Sequence, residues 1–571
     1  MDPNICRERI LSEDYRDFVI FDAIPQPLAN VPRDQLCEQE ADFGYRCIYA
    51  STIQADPVNL GRYTYLSIPK CYSLLSMEAL NQSGILAIQN YPTLQLKGNN
   101  VMIGFIDTGI DYANSIFRGL DGSTRVAGIW DQTVQSGAPP ENFSYGTEYT
   151  REMINEALQS DDPQSVVPSV DETGHGTFIA SISAGSGNPE EQFIGAAPEC
   201  TIGVVKLKQA KQYLRDYYFI PSTVPCYQDT DILLGLRYLS ELASAQNMPL
   251  VLCIALGTSL GGHINLTPLS QVLEGYSILN SRIPVVGGGN EADQRHHYSY
   301  EIHNGGSANS VEIRVGENVP GFVMELWADT PNVLSITLTS PSGETTTPVI
   351  METNASSEYN FIFERTQVTV SYRLIVERST SELAFFSFKS PVPGIWKVNV
   401  TPVQTIDGRF HIWLPVKEFI GGEVYFLNAD PYYTLTNPGN TISTIVVSYY
   451  DGSNNSIALS SGRGYTRYEQ INPDLTAPGI NIKGALPGGR YAVRSGSSIS
   501  IAISAGAIAL LVEWVIYQLG SPRIDSYQIK SILLLGAVRP PNMTFPNREW
   551  GYGQLNLFNT FEAIRRFRNL P

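Results

Sequence analysis

The sequence predicts an α/β fold built on a parallel sheet and interrupted by an all-β insertion, and three observations carry that prediction. Continuous apolar runs at residues 101–106, 249–256, 283–286 and 444–449 have the character of strands buried on both faces. Between about 306 and 430 the pattern changes to period-two alternation between turn-rich spacers, at 311–315, 334–338, 368–372, 396–400 and 410–414. The α/β texture then resumes and leads into an almost wholly apolar helix that starts beside Ser498.

At 571 residues the chain exceeds what one hydrophobic core usually supports, roughly 300 residues, so several domains are expected. With 43% hydrophobic and 16% charged residues it has the composition of compact globular material. A net charge of −18 repels phosphate, which argues against nucleic acid or an anionic membrane as a partner. Seven cysteines, Cys6, Cys37, Cys47, Cys71, Cys200, Cys226 and Cys253, are scattered without metal-ligand pairs, and they read as reduced, mostly buried thiols. The N-terminus has no apolar signal core, and the apolar run from Ile499 meets Glu513 before it spans a bilayer. The expectation is a soluble protein without a signal peptide, cytoplasmic in the first instance.

Taken in order, residues 1 to about 77 form a small α/β unit with strand-like runs at 18–21, 47–50 and 63–68 and no motif that carries chemistry. The strand at 101–106 runs into Asp107-Thr108-Gly109, and active residues of open α/β sheets cluster at such strand ends. An aspartate after a strand is also a common turn residue. His175 stands between Gly174 and Gly176 where the next helix begins, which leaves its imidazole open to approach. The other histidines, His263, His296, His297, His303 and His411, fall in loop-like or β-rich surroundings and read as surface or supporting residues. The run at 249–256 ends in Gly257, and the run at 283–286 ends in Gly287-Gly288-Gly289-Asn290, where a single amide side chain is left able to donate. Ser498 follows Gly496-Ser497 at the mouth of the apolar helix, where free N–H groups and positive helix charge gather. A serine capping a buried helix would look much the same.

Asp107, His175 and Ser498 stand in the chain order Asp, His, Ser, whereas α/β-hydrolases run Ser, Asp, His and need G-x-S-x-G, which Ser498 lacks. On these motifs, with Asn290 and the loop Pro473-Asp-Leu-Thr-Ala-Pro-Gly479, the chain resembles the subtilisin family of serine peptidases over about 78–305 and 433–571. In layout it is similar to the clostridial Csp germination proteases, through Gly289-Asn-Glu, His296-His-Tyr298, Arg548-Glu-Trp-Gly-Tyr552 and a long interval between Asn290 and Ser498.

The resemblance implies four parts: a prodomain at 1–77, a catalytic domain in two parts at 78–305 and 433–571, and a jelly-roll insertion at 306–432. It implies an endopeptidase in which Asp107, His175 and Ser498 are catalytic, and Asn290 with the Ser498 backbone N–H forms an oxyanion hole. Substrate peptide would lie along Ala255, Leu256 and Gly257, and Gly288 and Gly289 would border an unobstructed primary pocket. The partners implied are a protein substrate and the chain's own prodomain, cut near Leu75-Ser76-Met77, with a spore-associated location and no cofactor. A carboxylate for a calcium site is expected to be missing where the chain has Ser115–Phe117. Ser500 and Ile501 depart from the family's serine motif, which keeps open a rival expectation: a pseudoprotease that binds a protein partner.

Overall fold

The computed structural model describes residues 3–21, 28, 31–32, 36–74, 82–302, 306–349 and 355–568. Its centre is a nine-stranded sheet. In spatial order the strands are Ser456–Ile457, Ile445–Asp451, Arg282–Gly287, Leu250–Ile254, Met102–Asp107, Thr201–Lys206, Val126–Asp131 and Thr147–Thr150, with Leu475–Pro478 paired on Ile445–Asp451. Every pairing is parallel except the two at the ends of this series. All residues of Met102–Asp107 and Leu250–Ile254 are buried, as continuous apolar strands covered on both faces must be. After Met102–Asp107 the chain lays Val126–Asp131 and Thr147–Thr150 on one side, inserts Thr201–Lys206 into the gap left between, then adds Leu250–Ile254 on the other side. The strand order therefore reverses at Asp107, where open α/β sheets form their cleft.

The apolar helix Ser497–Glu513 is buried along all of its residues. With its continuation to Gln518 it is long and apolar enough to cross a membrane, but 94% of its apolar window lies inside the fold. Against it packs the helix His175–Ala184, also buried throughout.

The β-rich portion has a six-stranded and a four-stranded sheet, both antiparallel, whose apolar faces share one core. It begins ahead of the expected residue 306, because His297–Glu301 pairs with Arg409–Trp413. Two long strands escaped the alternation pattern. Gly321–Asp329 and Ser381–Lys389 are buried almost end to end, one face against the shared core and the other against residues that include Tyr63, Tyr65, Leu214 and Tyr218, so no polar face marks them.

In the N-terminal unit, Tyr15–Phe21, Tyr45–Ser51 and Cys37–Glu40 form a three-stranded sheet. The strand expected at 63–68 is instead a turn and a 3-10 helix, Tyr65–Ser67, whose side chains are buried by packing rather than by strand pairing. Cys6 and Cys37 form a disulfide, which corrects the expectation of seven thiols; Cys47, Cys71, Cys200, Cys226 and Cys253 are free and buried. The unit is anchored through buried polar groups. Asp17 pairs with Lys211 and accepts from the Gln228 side chain at 2.6 Å. Tyr65 donates to Glu325 of the β-rich portion at 2.7 Å.

The histidines correct a second expectation. His263, His296, His297 and His411 are buried, and His303 lies outside the described residues. The rings of His263, His297 and His411 all stack on Trp413, and His297 Nε2 lies 3.1 Å from His411 Nδ1. Burial pushes His263 down to about 3 and His297 to about 4. Unfolded, each takes up a proton near pH 6.5, whereas the native state does so only far lower, so acid favours the unfolded chain. This contribution is fully present above about pH 6.5 and is lost as the pH falls toward 3. The stability difference between wild type and His263→Gln should therefore shrink by about 2 kcal/mol between pH 7.5 and 5, measured by urea unfolding.

Candidate active site

Three residues far apart in the chain converge at the C-terminal edge of the sheet. Asp107 ends its strand, His175 opens one helix, and Ser498 is the second residue of the other. His175 Nδ1 lies 2.8 and 2.9 Å from the two oxygens of Asp107, and Nε2 lies 3.2 Å from Ser498 Oγ. An ionised carboxylate can only accept, so Nδ1 carries the proton and Nε2 is left as the acceptor for the serine hydroxyl. All three side chains are buried, which strengthens these interactions by excluding water.

The geometry is held by a residue that carries no motif of its own, Asp171. Asp171 accepts from the hydroxyl and the N–H of Thr177 at 2.7 and 2.8 Å, from the Gly174 N–H at 2.9 Å and from the Thr108 hydroxyl at 2.7 Å. Thr108 Oγ1 in turn accepts from the Gly176 N–H at 2.9 Å, and the Thr108 N–H donates to Asp107 at 2.7 Å. Asp171 thus ties the start of the histidine helix to the loop that carries Asp107. Asp171 lies three residues before the N-cap Gly174, outside the position where a capping side chain is ordinarily sought, so the sequence carries only the weak signal of an acidic residue ahead of a helix.

Asn290 follows the strand Arg282–Gly287, and its Oδ1 accepts from the Ser497 N–H at 3.0 Å, which leaves its amino group to donate. Ser497 Oγ accepts from the Gly289 N–H at 3.3 Å. The unusual residues after the serine fit without disturbance. Ser500 donates to the Ser497 carbonyl at 2.7 Å, and Ile501 is buried against Gly287.

Leu256–Gly257 is a short strand one residue beyond Ala255, and it already has a partner: Leu74 and Ser73 of the chain itself, antiparallel. On its other side Cys71–Leu74 pairs with Tyr227–Gln228. The pocket expected to be unobstructed at Gly288 and Gly289 is narrowed by a side chain. A methyl group at Gly289 would lie 2.5 Å from the side chain of Thr436, which stands between Gly289 and Gly257. Among the described residues no group of His, Cys, Asp or Glu is arranged to hold a metal ion.

A sequence model described as the subtilase family matches residues 98–400 and 427–553. Mouse membrane-bound transcription factor site-1 protease is 29% identical over 148 residues, 25% of this chain and 14% of that protein. Bacillus subtilis bacillopeptidase F is 27% identical over 134 residues, 23% of this chain and 9% of its own length, and the serine protease AprX of the same organism is 27% identical over 151 residues, 22% and 31%. The chain thus spans less than a third of these curated relatives. The solved Clostridium perfringens CspB protease superposes with a TM-score of 0.76 at 29% identity, covering 85% of this chain and 98% of that one.

The close approach of helix and loop beside the site can be tested. A methyl at Gly176 would lie 2.1 Å from the Gly109 carbonyl oxygen, so Gly176→Ala must shift His175 relative to Asp107. Peptide hydrolysis should fall about 100-fold in kcat, with KM little changed and the far-UV circular dichroism preserved.

Proposed function

The chain belongs to the subtilase family, and from that premise we propose that it is a subtilisin-like serine endopeptidase, that Asp107, His175 and Ser498 are its catalytic triad and that it processes its own N-terminal unit. Ser498 Oγ attacks the scissile carbonyl while His175 Nε2 takes its proton and later delivers it to the leaving amine. Asp107 holds the tautomer and stabilises the imidazolium. The Asn290 amino group and the Ser498 backbone N–H donate to the oxyanion, a contribution of about 3 kcal/mol per donor.

The observation that carries autoprocessing is the placement of Cys71–Leu74 between Leu256–Gly257 and Tyr227–Gln228. Those flanking strands offer the backbone groups an extended substrate needs, and the chain's own segment satisfies them. Residues 1–77 are on this basis a prodomain, whose strand Cys71–Leu74 occupies the cleft. The cut near Leu75-Ser76-Met77 falls outside the described residues. The anchoring of Asp17 on Lys211 and of Tyr65 on Glu325 favours retention of the prodomain after cleavage. The β-rich portion serves as a jelly-roll insertion that braces both. On the likeness to the Csp germination proteases, the substrate we propose is the inactive precursor of a hydrolase used in spore germination, with the protein located in or on the spore.

Intact mass of the purified chain beside its Ser498→Ala variant tests this. Wild type should appear as two pieces parted near residue 77, and the variant at 62.9 kDa. Two whole chains, neither labelled by a fluorophosphonate, would instead favour the pseudoprotease that binds a partner. For hydrolysis of added peptides, Asn290→Ala should lower kcat by about 100-fold to 1000-fold with KM little altered.

A further inference from the structure

The loop that precedes the strand Ile445–Asp451 is bonded to both walls of the cleft beside Ser498. The Thr436 N–H donates to the Gly288 carbonyl at 3.0 Å, and Asn437 and Thr258 exchange backbone bonds of 2.8 and 3.0 Å. One wall, residues 287–290, contacts Ser497 through Gly289 and Asn290. The other is the substrate-side strand Leu256–Gly257. Between them stands the side chain of Thr436, 1% exposed. A methyl at Gly257 would lie 2.6 Å from Thr436 Oγ1, and one at Gly289 would lie 2.5 Å from both Oγ1 and Cγ2. Thr436 Oγ1 is buried and has no hydrogen-bond partner among the described residues.

A buried hydroxyl without a partner costs free energy that a suitable ligand group can recover. A peptide laid along Leu256–Gly257 with its scissile carbonyl at Ser498 sends the side chain on the acyl side of the bond into the space between these walls. We propose that Thr436 is the floor of that pocket and that it selects short, hydrogen-bonding side chains, serine, threonine or asparagine, against aromatic rings. A ring would have to displace a residue whose backbone is fixed on both walls. A short polar side chain ends beside Oγ1, which both donates and accepts. The inference rests on Ser498 being the nucleophile.

The test is a series of p-nitroanilide peptides that differ only in the acyl-side residue, hydrolysed by the full chain and by its Thr436→Gly and Thr436→Val variants. A chain segment lying in the cleft slows every member by one factor, so ratios of kcat/KM are compared. Wild type should favour threonine over valine and asparagine over leucine by about tenfold, and serine over phenylalanine by about 100-fold. Thr436→Gly should raise phenylalanine relative to serine by at least about tenfold. Thr436→Val, which keeps the size, should retain the bias against phenylalanine and lose the preference for threonine over valine. A wild type that prefers phenylalanine or leucine, or ratios that Thr436→Gly leaves unchanged, overturns the proposal. Failure of Ser498 as nucleophile is a separate result, with no fluorophosphonate label and no hydrolysis of any member. The floor is then read from the affinities of the same peptides, as free acids, for the Ser498→Ala chain with and without Thr436→Gly, where an order insensitive to Thr436 overturns it equally.

Discussion

The site depends on two helix N-termini brought against one edge of a parallel sheet, and each is held by an acceptor from outside its own first residue. Neither Gly174 nor Gly496, the residues ahead of the two helices, has a side chain that caps. Asp171 supplies the missing acceptors for Gly174 and Thr177, and Asn290 supplies one for Ser497. Free N–H groups at a helix start must be satisfied, and here the groups that satisfy them are bonded into the site. The 3.2 Å separation of His175 Nε2 and Ser498 Oγ is a consequence of both arrangements at once.

Much of this was legible in sequence, because buried parallel strands are continuous apolar runs and because glycine, histidine and serine mark the places where strands give way to helices. The runs at 101–106 and 283–286 and the starts of both helices fall where expected. What was not legible is what only a partner in space defines. Asp171 has meaning through Thr108 and Thr177, which lie on two other segments. Thr436 is far in sequence from both glycines it separates. Gly321–Asp329 and Ser381–Lys389 are buried on both faces, so the alternation that reveals a half-exposed strand is lost. Tyr65–Ser67 shows the converse: alternating residue types can be buried by packing with no strand beside them.

The contacts between the N-terminal unit and the rest are polar as well as apolar. Burying Asp17 with Lys211 costs desolvation that the pairing offsets only with good geometry, so such groups add little net stability. They do penalise any misplaced docking, since a shifted unit would leave a charge buried without its partner. Tyr65, packed on Trp327 and bonded to Glu325, places the same constraint on the β-rich portion.

The strand Cys71–Leu74 closes two sheet edges at once, being the middle member of three. Without it, Leu256–Gly257 and Tyr227–Gln228 would face each other across a gap as two bare edges, each with unsatisfied backbone groups. Those edges would then pair through the backbone with any extended chain, including an unfolded neighbour, whether or not it could be cut. A protein of this design is most prone to self-association in the interval before that middle strand is seated, so the segment that occupies the two edges also guards against aggregation.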